Sequence, residues 1–266
     1  MSGVLRVATL NIRNTTDRYS ERSNLMMEEI MKINCDILGL QEVCWGQIPL
    51  LYNGFGNTGI ICQSPCRDPI LSKSNPDYRV DGDMLLIKNK GGGDRMIVES
   101  HQVLILSYER VVQKVVLSLR VGNKRYRICL ANTHLHDGVS REDILERERQ
   151  CEVMMEWIEK DYYEGYIIMG DFNANHNDIT YDYMKSLSYI SGYKAIYGHE
   201  PEKTFPSGLQ APTMDKGPEF GCLDYIWFKG CINPINAGLW ADRPSPVDNT
   251  IYPSDHYGVF LDIRLQ

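Results

Sequence analysis

Two spacings of apolar residues alternate along this chain. Short segments in which apolar residues recur at every second position, or run continuously, predict β-strands over 4–12, 36–43, 83–89, 96–106, 111–121, 125–135, 165–173, 221–230 and 257–265. Segments with apolar residues at helical spacing predict helices over 20–34, 140–161 and 178–187. Because strands occur early, in the middle and late, with helices between them, the pattern predicts an α/β sandwich with its sheets inside.

Local signals refine three of these segments. Ser20 is expected to begin the first helix, and Ser140 with Asp143 forms a capping-box pattern at the start of the second. The glycine-rich segment 90–95 lies between two predicted strands and lacks the Lys-Ser/Thr of a phosphate-binding P-loop. We therefore expect it to be the loop of a β-hairpin.

Length and composition bound the class of protein. The 266 residues contain no repeat or linker, so we predict a single domain over 1–266. At 43% hydrophobic and 24% charged residues, the composition is typical of a globular protein. No apolar run approaches the ~18 residues of a membrane span, and the first residues do not resemble a signal peptide. These features predict a cytoplasmic or nuclear protein without a stable membrane anchor, and we expect a monomer.

Cysteines and charge narrow the expected chemistry. The eight cysteines are scattered, as is usual for reduced thiols, and Cys62 with Cys66 lacks the second pair that a zinc site would need. The 28 basic and 35 acidic residues give a net charge of −7. This charge argues against a large binding face for long duplex nucleic acid. It leaves open a nucleic-acid end, a nucleotide or another phosphoester bound with the help of a metal.

Polar residues stand at six predicted strand ends, where apolar residues surround them. They are Asn11, Glu42, His134, Asp171, Asn173, Asp224, Asp255 and His256. Any one of them could be an ordinary turn or cap residue. Because burying unpaired charges costs several kcal/mol each, we expect the whole set to converge, with carboxylates sharing a divalent cation and imidazoles paired to carboxylates. Strand alternation places Asp171 and Asn173 on one face.

The motifs N, QE, H, GDxN, D and SDH, in this order from residue 11 to residue 256, resemble the endonuclease/exonuclease/phosphatase superfamily, which has the deoxyribonuclease I-like fold. Each motif is weak alone, but the six in order are specific and cover nearly the whole chain. The resemblance implies a four-layered α/β/β/α sandwich with the site at one edge of two central sheets. It also implies hydrolysis of phosphoester bonds with Mg²⁺, for which Mn²⁺ could substitute.

The resemblance also implies roles for individual residues. Glu42 would be the main metal ligand, with Asn11 and Asp255 nearby or acting through water. Asp171 would position and deprotonate the attacking water. Asn173 would hold that water or a phosphate oxygen.

The two imidazoles would act on the phosphate. His256, oriented by Asp224, would bind a non-bridging oxygen or transfer a proton, and His134 would contact the phosphate from the other side. A histidine in "NTHL" resembles the deadenylase, sphingomyelinase and tyrosyl-DNA phosphodiesterase branches, and "CLDYIWF" followed by "PSDH" most resembles the deadenylase and nocturnin side.

The substrate stays open at this level. Nucleic-acid ends or nucleotides are favoured, and the alternatives are a lipid headgroup or phosphoinositide, or a non-catalytic binding protein on the same fold. The presence of Glu42, Asp171 and His256 together favours an enzyme. The loop 204–220 is expected to face the substrate. Six further residues are candidates for stacking on a base or binding phosphate, although packing or a solvated surface is the favoured interpretation of each: Trp45, Tyr108, Arg110, Lys114, Trp227 and Trp240.

Overall fold

Strands make up most of the regular structure, with helices placed outside them. The computed structural model describes residues 4–55, 59–65, 81–88, 96–211 and 220–266. In chain order the strands are β1 (Leu5–Asn11), β2 (Ile37–Cys44), β3 (Gly59–Pro65), β4 (Asp81–Lys88), β5 (Met96–Ile105), β6 (Val111–Val121), β7 (Lys124–His134), β8 (Gly165–Asp171), β9 (Ile190–Ser191), β10 (Asp224–Gly230), β11 (Ile232–Trp240) and β12 (Gly258–Leu265). The α-helices are α1 (Tyr19–Ile33), α2 (Ile48–Gly54), α3 (Arg141–Ile158), α4 (Ile179–Ser186) and α5 (Gly192–Tyr197).

Within the described residues, the strands form two six-stranded sheets. The first sheet has the order β11-β12-β1-β2-β4-β3, and the second has the order β5-β6-β7-β8-β10-β9. Most neighbours are antiparallel, but β1 with β2 and β7 with β8 are parallel pairs. In each parallel pair the carboxyl ends of both strands therefore reach the same edge of their sheet.

Three buried apolar clusters show how the layers pack. One lies between the sheets and includes Val7, Leu117 and Leu261. A second joins the first sheet to α1, and a third joins the second sheet to α3 and α4. The predicted four-layered α/β/β/α sandwich is confirmed. The continuous apolar runs follow from this arrangement, because the central strands are covered on both faces.

The helix signals are confirmed in one case and corrected in another. Ser140 accepts from the Asp143 amide at 3.2 Å, while the Asp143 carboxylate accepts from the Ser140 amide at 3.1 Å, so the capping box forms as predicted. The first helix begins at Tyr19 rather than Ser20. The residue before it, Arg18, adopts a left-handed conformation and makes no side-chain cap.

The hairpin prediction for 90–95 is wrong. Residues 89–95 lie outside the described part of the chain, but the strands before and after them belong to different sheets: β4 pairs with β2 and β3, and β5 pairs with β6. The edge strand β11 was not predicted at all. Its sequence contains Pro234 and Gly238, and its pairing shifts register between Pro234 and Asn236, which is tolerated because β11 lies at a sheet edge.

Candidate active site

Most of the polar residues at strand ends lie at one edge of the two sheets. Asn11 is the last residue of β1 and lies opposite Gln41, next to Glu42. In the second sheet, His134 at the end of β7 lies opposite Asp171 at the end of β8, and Asp171 lies opposite Asp224 at the start of β10. The two parallel pairs therefore bring residues that are distant in sequence to one edge.

Gly170 makes the second of these pairings possible. Its φ is +138°, and a Cβ there would overlap the carbonyl oxygen of Thr133 on the neighbouring strand. Only glycine fits this close approach without strain. The glycine of "GDFN" thus fixes the alignment of His134 with Asp171.

A buried imidazole–carboxylate pair forms the centre of the site. His256 Nδ1 lies 2.9 Å from Asp224 Oδ2, and both side chains are buried. The ring of Phe205 packs on the His256 imidazole with a centroid separation of 4.8 Å. Thr204 Oγ1 accepts hydrogen bonds from the amides of Leu223 and Asp224, which holds the start of β10 in place. The predicted orientation of His256 by Asp224 matches this geometry.

Asp171 Oδ2 lies among three nitrogens. Asn11 Nδ2 donates to it at 3.0 Å, whereas His134 Nε2 and His256 Nε2 lie 3.5 and 3.7 Å away. The distance to His256 is too long for a hydrogen bond, so Nε2 of His256 can donate to a ligand oxygen placed beside Asp171. The other carboxylate oxygen of Asp171 accepts from the Asn173 amide at 2.9 Å.

Burial and neighbouring charges shift the pKa values of Asp171 and His256. Burial raises the pKa of Asp171 to about 7, and the nearby Asp224 carboxylate adds to the shift. Burial alone would lower the pKa of His256, but the carboxylates of Asp224 and Asp171 outweigh it and raise the pKa to about 10. At neutral pH the imidazole therefore carries a proton, while Asp171 is near the midpoint of its titration.

Two asparagine side chains connect Asp171 to further carboxylates through hydrogen bonds. Asn11 Nδ2, which donates to Asp171, also donates to Glu42 Oε1 at 3.1 Å. Asn14 Nδ2 in turn donates to Glu42 Oε2 at 2.8 Å and lies 3.3 Å from Asp81 Oδ2. Glu42 is held from both sides, and Asn11 links it directly to Asp171.

The carboxylates around Glu42 fit a hard divalent cation. Burial raises the pKa of Glu42, and the neighbouring Asp255 and Asp81 carboxylates raise it further. Oxygen ligands of this kind suit Mg²⁺. The amide oxygen of Asn11 instead accepts from the Arg13 backbone at 3.0 Å, so in this arrangement Asn11 faces Glu42 with its nitrogen. Its role as a metal ligand stays a prediction.

Asp255 is also placed near Glu42 but has a cationic neighbour. Its Oδ2 lies 3.4 Å from Arg13 Nε, and its Oδ1 accepts from Ser254 Oγ at 3.1 Å. A second group could hold a cation, because ligand atoms of Asp171, Asp224 and His256 lie within 4.8 Å of one another. We interpret this second group as a hydrogen-bonded charge network, since Nδ1 of His256 already contacts Asp224.

Asn173 reaches the site by a different route from the predicted one. β8 ends at Asp171, and Asn173 has a φ of 49°, so strand alternation does not apply to it. Its side chain donates to the carbonyl of Leu135 at 3.0 Å, next to His134. The prediction that strand alternation places Asn173 on the face of Asp171 is therefore wrong, and it is the backbone amide of Asn173, in a left-handed turn, that contacts Asp171.

A buried arginine that belongs to none of the sequence motifs holds the backbone around the first motif. Arg22 on α1 is fully buried, and burial lowers its pKa. Its guanidinium donates to backbone carbonyls around the site, namely those of Ile12, Arg13, Asn14, Thr16, Asp17 and Pro253. Arg22 therefore joins the segment after Asn11 to the segment before Asp255. Its only sequence signal is a charge on the apolar side of a helix.

A narrow cleft between the sheets borders Glu42. Its lining includes Asp83, Arg110 and His134. Asp83 is almost fully buried, and burial raises its pKa well above the usual range. Within the described residues its Oδ2 has no hydrogen-bond partner. Arg110 contributes a positive charge to this otherwise acidic cleft.

The remaining candidates for stacking on a base or binding phosphate differ in how exposed their side chains are. Lys114, Trp227 and Trp240 are buried in the packed layers, which agrees with the interpretation that they pack rather than contact substrate. Trp45 and Tyr108 are exposed. Of the loop 204–220, residues 212–219 lie outside the described part of the chain. Its first residues contact the site through Phe205.

Comparisons with known proteins agree with this geometry. The sequence profile of the Endonuclease/Exonuclease/phosphatase family matches residues 8–256. Nocturnin of Xenopus laevis is 26% identical over 262 residues, which cover 92% of this chain and 64% of nocturnin. The 2′,5′-phosphodiesterase 12 of Mus musculus is 26% identical over 283 residues, which cover 91% of this chain and 46% of that protein. The chain thus spans about half to two thirds of the curated relatives it matches.

Solved structures show the same fold. The human nocturnin catalytic domain, solved with a bound sulfate anion, superposes with a TM-score of 0.74 at 24% identity, covering 100% of this chain and 96% of that domain. Truncated TDP2 of Caenorhabditis elegans gives a TM-score of 0.74 at 18% identity, with 98% of each chain covered. The predicted resemblance to the superfamily, on its nocturnin side, is confirmed.

Proposed function

Because this chain belongs to the Endonuclease/Exonuclease/phosphatase family, we propose that it is a divalent-metal-dependent phosphodiesterase acting on nucleic-acid ends or nucleotides. The observation that carries the proposal is the set of contacts around Asp171. Asp224 is hydrogen-bonded to His256, whose Nε2 lies 3.7 Å from Asp171 Oδ2, and Asn11 donates to both Asp171 and Glu42. In the proposed mechanism, a proton acceptor, a charged donor and a carboxylate suited to a metal would surround the substrate phosphate.

Asp171 is suited to handle the attacking water. Its pKa of about 7 allows it to accept a proton at neutral pH. Asn11 and the Asn173 amide each hold one of its oxygens, so the carboxylate is fixed in orientation before a substrate binds. Fixed geometry of this kind lowers the entropic cost of reaching the transition state.

His256 is suited to stabilise the phosphate. Asp224 holds its Nδ1, so the proton on Nε2 points toward the space beside Asp171. A protonated imidazole there can donate to a non-bridging phosphate oxygen as negative charge develops. His134 Nε2, on the other side of Asp171, is placed to contact the same phosphate.

Glu42 would hold the divalent cation, with Asp255 nearby. The cation, when bound, would neutralise charge on the phosphate oxygens and stabilise the leaving oxygen. Mg²⁺ is the proposed ion, with Mn²⁺ as a substitute, because the available donors are hard oxygens. Asn14 would keep the Glu42 carboxylate in position from its other side.

The relatives support a phosphodiester substrate. One is named a 2′,5′-phosphodiesterase, and the nocturnin domain binds sulfate, which has the shape and charge of a phosphate group. A lipid headgroup stays the alternative substrate. Among the described residues, no helix is long and apolar enough to cross a membrane.

A panel of phosphodiesters tests the proposal. Wild-type protein would be incubated with Mg²⁺ and single-stranded RNA, single-stranded DNA, abasic duplex, dinucleotides or sphingomyelin, and products measured by chromatography. We expect hydrolysis of at least one nucleic-acid substrate, abolished by EDTA and by Asp171→Asn. Hydrolysis of sphingomyelin alone would favour the lipid alternative. Turnover of none by folded protein would favour a binding protein.

The proposal also covers the domain extent, the oligomeric state and the location of the protein. We propose that the chain acts as one domain over 1–266, as a monomer, in the cytoplasm or nucleus. The free state of the described cysteines is compatible with a reducing compartment. Light scattering of the purified protein would test the monomer directly, and a dimer would contradict it.

A further inference from the structure

An exposed tyrosine stands next to the cleft that borders Glu42. Tyr108 is 69% exposed. Arg110, two residues later, lines the cleft together with Glu42 and His134. An exposed aromatic residue thus lies two positions before a guanidinium that lines the candidate active site.

The segment that carries Tyr108 is held firmly by α3. Buried Gln150 donates from Nε2 to the carbonyl of Ser107 at 2.9 Å and accepts from the amide of His136 at 2.8 Å. The Ser107 hydroxyl donates to Glu146, and the amide of Leu106 donates to the carbonyl of Arg110 at 2.7 Å. One buried glutamine therefore fixes the Tyr108 and His136 segments relative to each other.

The Tyr108 ring is supported on one side by His136. The two ring centroids are 4.5 Å apart, and His136 is itself held by Asp143 at 2.9 Å. Tyr108 and Glu109 have φ values of 53° and 57°, a conformation that costs non-glycine residues about 1–2 kcal/mol each. Strained residues held by well-packed surroundings are common at binding sites.

We infer that Tyr108 and Arg110 form a subsite for one nucleotide next to the scissile phosphate. The inference rests on the proposed function and specifies its substrate class. The tyrosine ring stacks on the base, and the guanidinium contacts the phosphate of the same nucleotide. The present partner of Arg110 is Asp137 at 2.9 Å. The Arg110 side chain is 16% exposed and that of Asp137 is 65% exposed, so the carboxylate can turn to solvent and leave the guanidinium to a phosphate.

Binding to a defined oligomer tests the subsite. The full chain would be titrated, in EDTA to prevent turnover, into a fluorescein-labelled single-stranded pentanucleotide and into the same oligomer with one abasic residue at each position in turn. Fluorescence anisotropy would give the affinities. Since stacking on an aromatic side chain contributes strongly per base, one abasic position should weaken wild-type binding about 5- to 150-fold.

Variants of Tyr108 and Arg110 test whether the base at the sensitive oligomer position stacks on Tyr108. Tyr108→Ala should weaken binding of the intact oligomer by the same factor and should be insensitive to the abasic residue, whereas Tyr108→Trp should bind like wild type. Arg110→Gln should weaken binding of intact and abasic oligomers alike, because both keep the phosphate. Tyr162→Ala is the matched control, since Tyr162 is 83% exposed and lies before β8, roughly 20 Å of strand from Asp171.

The outcomes separate the subsite from the proposed function. Equal affinity of wild type and Tyr108→Ala for the intact oligomer, or no binding of any oligomer by wild type, would overturn the subsite. Turnover of the same oligomer in Mg²⁺ is read independently. If binding depends on Tyr108 but no oligomer is hydrolysed, the proposed function is refuted and the subsite is kept. If the oligomer is hydrolysed but binding does not depend on Tyr108, the subsite is refuted and the proposed function is kept.

Discussion

The pairing of Asp224 with His256 gives the sharpest prediction about mechanism. The two side chains are 1% and 5% exposed and are joined by a 2.9 Å hydrogen bond. If Asp224 acts only by holding and charging His256, the effects of removing the two residues cannot be independent. Asp224→Asn, His256→Gln and the double variant form the cycle that measures this dependence.

The structure sets the expected magnitudes. A hydrogen bond to a charged group contributes about 1.5–3 kcal/mol, so Asp224→Asn should lower kcat about 10- to 150-fold. Losing the donor itself should cost about 10²- to 10⁴-fold for His256→Gln. The double variant should resemble His256→Gln alone, because Asp224 then has no imidazole to orient.

The assay is the initial rate at saturating substrate, using whichever phosphodiester the panel identifies. Thermal melts accompany each rate, since leaving one buried charge without its partner is destabilising. Asp262→Asn is the control: Asp262 is also buried and pairs with Arg6 at 2.7 Å. Arg6 lies five residues before Asn11 on β1, roughly 17 Å of strand, so the variant should melt earlier yet keep kcat within about two-fold, as expected for a change far from the site. A double variant whose loss equals the product of the single losses would refute the pairing.

Three further predictions follow from the site. Glu42→Gln should raise the Mg²⁺ concentration for half-maximal activity at least ~10-fold, and Asn14→Ala should raise it less; full wild-type activity in EDTA would contradict both. Arg22→Met should lower the free energy of unfolding in urea by about 3–5 kcal/mol, because six carbonyls lose their donor, whereas exposed Lys32→Met should change it by less than ~0.5 kcal/mol. Since the folded-state pKa of His256 is raised from 6.5 to about 10, the stability it contributes is complete below pH 6.5 and is lost as pH rises toward 10. The stability difference between wild type and His256→Gln should therefore shrink over that range, and a constant difference would count against the raised pKa.

The layered fold could be predicted from the sequence because apolar spacing is a local property. The run before Asp171 is apolar at nearly every position, which is characteristic of a strand covered on both faces. The apolar face of the helix over Arg141–Ile158 has a spacing that only a helix can bury. Edge strands carry a weaker signal, and Ile232–Trp240 was missed because it is half exposed and contains a proline.

The residue types that form the site could also be predicted from the sequence. Glu42, His134, Asp171, Asp224 and His256 stand at strand ends where charge is costly, and all five lie at one edge in the structure. Strand ends can be located from the sequence, and charged residues there need partners. That is sufficient to predict convergence.

Only the tertiary structure decided which atoms meet. Asn11 faces Glu42 and Asp171 with its nitrogen, because its oxygen is taken by the Arg13 amide. Asn14 and Arg22 support the site through contacts that no spacing in the sequence specifies. Pairings between residues far apart in the chain depend on how two sheets pack and on single close approaches, such as that of Gly170 to Thr133. Local periodicity carries no information about these distances, since they arise only when the layers are assembled.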